Sequence, residues 1–298
     1  MKTVKINAPA KINFSLEVVG KNDNYHMLDT VVGTINLFDV ITVSPRKDNK
    51  INVKTTGLSS EESILPENDN AYFAAKAFMQ KFNTYGADIK IKKNIPIGGG
   101  LGGSSADIAG TLRALKEVYP EHDEIDYSGL KEIADSLGSD SGYLLTGGFA
   151  RLSGKGEIVK NIECDKEFHL VLVVAEGGVN TALCFNEFDK TQEKDPEVSS
   201  NKVEGMLLSD DNDYILPGIG NDLFVAASKI NPEVRKAYDE IKSLYPKAVS
   251  MSGSGSTVFG IFETEETARW AQNKLIKKFD KVFYCKTASI EKVNKYIL

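Results

Sequence analysis

Cysteine is scarce in this chain: Cys164, Cys184 and Cys285 are the three present. Widely spaced and odd in number, they form no CxxC pair and cannot pair off completely. That excludes a disulfide framework and predicts reduced thiols in a cytoplasmic protein. CxxC and HxxxH spacings are missing, so no dedicated metal site is expected; His122 reads as a surface residue and His169 as a strand residue. Long apolar runs are missing too. No stretch approaches the about 18 residues of a membrane span, and Lys5, Lys11 and Asn13 interrupt the opening segment before a signal-peptide core could form. Nor is there an excess of positive charge. With 36 basic and 42 acidic side chains, the formal net charge of −6 offers no general footprint for nucleic acid or an anionic membrane. There is no internal repeat. What remains is 298 residues, 41% hydrophobic, enough for one large domain or two of moderate size.

Apolar periodicity predicts an α+β chain. The first sixty residues read as extended: Lys11–Val19 alternates, and Thr30–Val43 carries β-branched runs separated by a turn-like Asn36–Asp39. A helix fits Asn70–Phe82 on the face Ala71, Phe73, Ala74, Ala77 and Phe78, followed by a strand at Ala87–Lys92. Ile108, Ala109, Leu112, Leu115 and Tyr119 then recur at helical spacing, with Ser104 and Asp107 as a capping pair. From about residue 160 the layout changes. Phe168–Ala175 is almost continuously apolar, like a strand covered on both faces. Asn231-Pro232-Glu233 opens a helix, and strand, strand, helix and strand follow to Thr287. The polar segment Asp189–Lys202 reads as a surface loop. The predicted domains are 1–160 and 161–298.

The most informative segment is Pro96-Ile97-Gly98-Gly99-Gly100-Leu101-Gly102-Gly103-Ser104-Ser105. Five glycines in six positions cost backbone entropy, so something must require them. A main chain without Cβ atoms can aim successive N–H groups at one oxyanion, and the helix start behind it adds unpaired N–H groups and partial positive charge. Two serines at the mouth can donate to phosphate or help hold Mg²⁺. Gly98, Gly100 and Gly103 also satisfy GxGxxG, but the dinucleotide reading fits poorly, because the turn follows a Pro-terminated strand about 100 residues into the chain. The Walker A pattern fails, since no Gly-Lys-Ser/Thr follows. A flexible capped turn is the bland alternative.

Three spaced motifs in order carry a resemblance: Ala8-Pro9-Ala10-Lys11-Ile12-Asn13, the glycine-rich turn, and Met251-Ser252-Gly253-Ser254-Gly255-Ser256-Thr257. Together they resemble the GHMP kinases (galactokinase, homoserine kinase, mevalonate kinase and relatives) over essentially the whole chain. Leu137-Gly138-Ser139-Asp140, Thr146-Gly147-Gly148, Gly154-Lys155-Gly156-Glu157 and Asn221-Asp222-Leu223 extend the likeness. Tyr25-His26 points to the branch whose alcohol substrate is linked to cytidine diphosphate.

The resemblance implies a two-domain fold, with an N-terminal ribosomal protein S5 domain 2-like unit and a ferredoxin-like C-terminal unit. It further implies ATP with Mg²⁺, transfer of the γ-phosphoryl to a small-molecule alcohol, and a monomer or homodimer. Asp140 would accept the hydroxyl proton and Lys11 would offset developing negative charge. Asn70, Lys93, Pro96, Gly98, Gly99, Gly100, Leu101, Gly102, Gly103, Ser104 and Ser105 would line the nucleotide. Asn13, Tyr25, His26, Thr181 and Phe185 would meet the alcohol substrate, with Asn13 alternatively supporting Lys11. Taken singly, Asp140 reads more readily as a helix cap, Lys11 as a solvated strand lysine and Phe185 as core, and Asn70 reads as well as an N-cap. Ser104 replaces the third glycine of the branch's LGGGSSDAA and Ala106 its second serine. Ser141-Gly142 stand where a hydrophobic residue and proline are usual, and Asn24 where glycine is. A paralogue acting on another alcohol, or a nucleotide-binding protein with little activity, is the alternative these departures leave open.

Overall fold

The computed structural model describes residues 2–22, 25–57, 69–120, 122, 124–210, 216–288 and 292; the Asp23-Asn24 turn lies outside them. Strand β1 (Val4–Asn22) pairs antiparallel with β2 (Tyr25–Pro45), and β3 (Asn52–Gly57) follows. Helix α1 (Asn70–Phe82) starts at an Asp69 side chain that accepts from the Ala71 N–H, and ends at Asn83 in the left-handed region. Its buried face is Ala71, Ala74, Ala75, Phe78 and Phe82, so Phe73, expected inside, is turned outward. Next come β4 (Ala87–Lys93), α2 (Gly103–Val118), α3 (Tyr127–Leu137) and the short α4 (Ser141–Leu144), then β5 (Phe149–Gly154) and β6 (Ile158–Ile162).

The later elements are β7 (His169–Val174), α5 (Thr181–Thr191), α6 (Ser200–Leu208), β8 (Gly220–Asn221), α7 (Phe224–Ile230) and α8 (Pro232–Lys242). They continue through β9 (Ala248–Met251), β10 (Thr257–Phe262), α9 (Glu265–Leu275) and β11 (Val282–Lys286). The polar segment 189–202 is a loop over 192–199, flanked by the last turn of α5 and the first turn of α6.

Among the described residues one sheet has the order β3-β4-β2-β1-β8, with β5 on β2 and β6 on β5; the other has the order β11-β7-β10-β9. Asn36–Asp39 is no turn. Pro9 faces Phe38 and Lys11 faces Thr34, so β2 bulges between them within one continuous strand. The bulged residues bond elsewhere: the Ala288 N–H donates to the Thr34 carbonyl, and the Lys286 N–H donates to Asn36 Oδ1. Tertiary partners won over local turn chemistry.

The continuous apolar run of β7 has a simple cause. Leu170 and Leu172 enter a core shared with the larger sheet, whereas Val171 and Val173 enter a second core under α7, α8 and α9. Phe14 of β1 joins the two halves, its ring centroid 5.7 Å from that of Phe149, 5.4 Å from Phe168 and 6.2 Å from Phe259. Phe14→Ala should cost about 3–5 kcal/mol through lost burial and an unfilled cavity. Urea unfolding measures it, and a cost below 1 kcal/mol would contradict this central role.

Candidate functional site

The glycine-rich turn is aimed from below by a buried acid. Asp39 Oδ1 accepts the N–H groups of Asn94 (2.6 Å) and Ile95 (2.9 Å), which fixes how the chain leaves β4. Beyond the buried Pro96, Gly98, Gly100 and Gly102 take φ values of +70°, +74° and +72°. Such alternation curls a main chain into an anion-binding concavity. The carbonyls of the turn are occupied by protein: Gly99 accepts from the Thr257 N–H (3.1 Å), Gly100 from Ser252 Oγ (2.9 Å) and Leu101 from the Lys11 N–H (3.0 Å). In a trans peptide the next N–H points the opposite way, so Gly100, Leu101 and Gly102 present theirs away from these partners. Gly100 is required twice over, since a Cβ there would also lie 2.2 Å from the Ser252 carbonyl oxygen.

Helix α2 begins with Gly102 as N-cap and has no side-chain cap. The capping pair expected of Ser104 and Asp107 is not made. Ser104 is exposed inside the first turn and Asp107 turns inward to Lys93. The helix start thus keeps its unpaired N–H groups and positive end for an anion, with Ser104 and Ser105 beside them.

Lys93 lies beneath this turn. Its buried ammonium is clamped by Asp39 and, at 2.5 Å, by Asp107 Oδ2. A Cβ on Gly103 would lie 3.7 Å from Lys93 Nζ, so the lysine underlies the helix start. One positive charge cannot neutralise two carboxylates. Burial, chiefly, with the neighbouring Asp39, pushes the Asp107 carboxyl up to about 7, against the pull of Lys93. The two acids hold the Lys93 ammonium above its usual range despite burial. Asn70 stands half-buried at the first position of α1, next to its cap Asp69.

Lys11 and Asp140 meet at the far end of the turn. Lys11 leaves β1 at the bulge, is 5% exposed, and runs beneath Gly102, where a Cβ would lie 3.1 Å from Lys11 Cγ. Its Nζ donates to Asn13 Oδ1 at 2.7 Å and pairs with Asp140 Oδ2 at 3.2 Å. One of its three N–H donors is left, among the described residues, for a ligand oxygen. Asp140 occupies the N-cap position of α4 but makes no side-chain cap bond. Lys11 is therefore no solvated strand lysine, and Asp140 is an N-cap by position only.

Asn13 is 4% exposed and committed to the protein: its Nδ2 donates to Thr30 Oγ1, while its Oδ1 accepts from Lys11 and from the Gly253 N–H at 2.9 Å. Of its two expected roles, the geometry gives it the support of Lys11. Ser252 and Gly253 belong to this cluster, although the sequence motif that holds them carried no assigned site role. Their signal was the MSGSGST motif itself, whose reach to Asn13 spans 240 residues.

The aromatic group lies to one side. The Phe185 ring of α5 stacks on His26 at 4.5 Å and 20°, and His26 Nε2 is 2.6 Å from Asp189 Oδ1. Asp189, at the start of the segment read as a loop, also pairs with Lys21 at 2.5 Å. The Tyr25 ring is exposed, with Lys155 Nζ 4.0 Å from its centroid. Thr181, the first residue of α5, shares a 2.9 Å hydrogen bond with Ser254 Oγ of the 251–257 segment.

A bare, uncapped helix start, a glycine-rich concavity and a lysine–carboxylate pair at its end form the layout of an ATP-dependent phosphotransferase. Residues 69–150 match the GHMP kinases N terminal domain and residues 205–281 the GHMP kinases C terminal domain. The chain belongs to the GHMP kinases, ATP-dependent small-molecule kinases. It is 32% identical to the 4-diphosphocytidyl-2-C-methyl-D-erythritol kinase of Clostridium tetani, over 95% of this chain and 100% of that one. It is 36% identical to the enzyme of the same name from Desulfitobacterium hafniense, over 89% of each. A crystal structure of 4-(cytidine 5'-diphospho)-2C-methyl-D-erythritol kinase superposes with a TM-score of 0.80 at 28% identity, covering 96% of this chain and 99% of that one. No helix among the described residues is long and apolar enough to cross a membrane.

The Asp107 carboxyl, raised from 3.8 to about 7, retains its proton in the fold at pH values where the unfolded chain has lost it. Stability from this group is complete below pH 4 and lost as pH rises toward 7, by up to about 1.4 kcal/mol per pH unit. Asp107→Asn should flatten that decline in urea titrations between pH 5 and 7.5; an unchanged slope would show that Asp107 is ionised throughout.

Proposed function

We propose that this kinase transfers the γ-phosphoryl of ATP to the 2-hydroxyl of 4-diphosphocytidyl-2-C-methyl-D-erythritol, a step of non-mevalonate isoprenoid biosynthesis. The observation that carries the reading is the Lys11–Asp140 pair at 3.2 Å, at the end of a concavity suited to a triphosphate. Residues 1–160 would then form the nucleotide-binding unit and 161–298 the unit completing the substrate side, as a soluble cytoplasmic monomer or homodimer.

Little covalent chemistry is asked of such a protein; placement and charge dominate. The N–H groups of Gly98–Gly103 and the start of α2 would cradle the phosphates, with Ser104 and Ser105 donating hydroxyls and Pro96 and Asn70 toward the nucleoside. Asp140 would orient the substrate hydroxyl and take its proton. Lys11, steered by Asn13, would hold the transferring phosphoryl against its developing charge. Among the described residues no group of three His, Cys, Asp or Glu could cage a metal. Mg²⁺ would arrive on the nucleotide, held mainly by phosphate oxygens and water, with a serine hydroxyl and Asp140 as the protein's contribution. Its chemistry there is charge neutralisation. The cytidine end would rest against Tyr25, His26 and Phe185, with Thr181 at the edge: aromatic faces bind a base, and the His26 ring can read its polar edge.

ATP consumption assayed against the cytidylated alcohol and against homoserine, mevalonate and galactose tests the assignment; turnover with one of the latter alone would overturn it. Asp140→Asn should lower kcat by about 10²–10⁴-fold while nucleotide affinity survives. Tyr25→Ala should raise KM for the cytidylated alcohol by about 5–150-fold, the worth of a stacked base, and leave KM for ATP within about twofold.

A further inference from the structure

Asn221 does not touch Lys11, Asn13 or Asp140, yet the hydrogen bonds around it converge on Lys11. It sits in β8, where it pairs with Leu16 of β1, and is 2% exposed. Its Nδ2 donates to the Met251 carbonyl at 2.7 Å and to the Gly253 carbonyl at 2.8 Å. Its own Oδ1 accepts the Leu223 N–H at 2.9 Å, which fixes the orientation of the amide. Asp222 anchors the same segment from the other side, accepting the N–H groups of Val18 and Asp195.

The choice of carbonyls matters. Met251 and Gly253 lie on the peptide planes either side of the one joining Ser252 to Gly253. That middle peptide supplies the N–H donated to Asn13 Oδ1 at 2.9 Å. A peptide plane reorients by counter-rotating the torsions at its two ends, and both ends here are attached to planes pinned by one buried amide. Asn13 Oδ1 in turn accepts Lys11 Nζ at 2.7 Å, and Lys11 meets Asp140.

We infer that Asn221 is a positioning residue for phosphoryl transfer, acting through the Gly253 amide and Asn13 to hold Lys11 against Asp140. Without it the Met251 and Gly253 carbonyls lose their shared buried donor. The 252–253 peptide is then held by the Gly255 N–H on the Ser252 carbonyl, the Gly253 N–H is aimed less firmly at Asn13 Oδ1, and Asn13 holds the Lys11 ammonium less rigidly against Asp140. The proposal rests on the phosphotransferase reading of the Lys11–Asp140 pair and adds to it a control exerted from the far end of the chain. Misplacement by about 1 Å is enough to cost on the order of 10²-fold in rate.

The test is a double-mutant cycle on kcat with Asn13→Ala, Asn221→Ala and the double variant, each also scored for Tm, KM for ATP and KM for the alcohol. Asn221→Ala should lower kcat by about tenfold or more with each KM within about threefold. The double variant should be no slower than Asn13→Ala alone, because both changes break one chain of contacts. Additive effects, or an Asn221→Ala enzyme with lowered Tm and wild-type kcat, would make Asn221 merely structural and overturn the inference. Should Asn221→Ala fail to fold, Asn221→Ser, whose hydroxyl can reach one carbonyl, replaces it in the same cycle under the same criteria. An inactive wild-type chain would instead defeat the phosphotransferase reading itself.

Discussion

A lysine ammonium that is almost wholly buried has to be given partners, and in this protein that requirement draws the candidate site together. Lys11 is 5% exposed. Stripping water from such a charge costs several kcal/mol unless opposite charge and hydrogen bonds replace it. The replacements come from three parts of the chain: Asn13 two residues on, Asp140 at the start of α4, and the distant 251–253 segment through Asn13. The bulge in β1 and β2 that turns Lys11 inward is itself held by residues 286–288. One charge thus ties both ends of the sequence to its middle.

The glycine-rich turn answers to the same packing. Its glycines serve partly to present N–H groups and partly to let two loops touch. Gly100 lies against the Ser252 carbonyl, Gly253 takes a φ of +57° against Gly100, and Gly102 lies over the Lys11 stem. With the turn's carbonyls occupied by Thr257, Ser252 and Lys11, its outward N–H groups and the uncapped start of α2 are prepared for an anion before one arrives. Preorganised dipoles of this kind need little reorganisation when charge moves, which suits phosphoryl transfer.

Charge is balanced differently beneath the turn. Lys93 serves Asp39 and Asp107 at once, so the helix start stands on a buried cluster with one acid in excess. Asp39 uses its second oxygen to set the exit from β4, which makes this cluster part of the mounting of the phosphate-binding turn.

Much of this was written in local sequence. Asn231 as a helix start, the apolar stripes of α1 and α8, the unbroken apolar run of β7 and the glycine-rich turn all depend on neighbours within a few residues, where periodicity and capping chemistry act, although the cap of α1 fell on Asp69, one residue before the Asn70 that the sequence offered. The motif order alone placed the chain among the GHMP kinases. What sequence could not decide were the contacts across long separations. Asn36–Asp39 carries turn residues but became a strand bulge because residues 286–288 bond to it. Ser104 carries a capping side chain, but the helix start was left open because Asp107 was taken by Lys93. Asn13 could have faced substrate or Lys11 until the Gly253 amide, 240 residues away, fixed its oxygen. Local propensity is settled by a few residues; which buried polar group meets which is settled only when the whole chain has closed and each must find its partner.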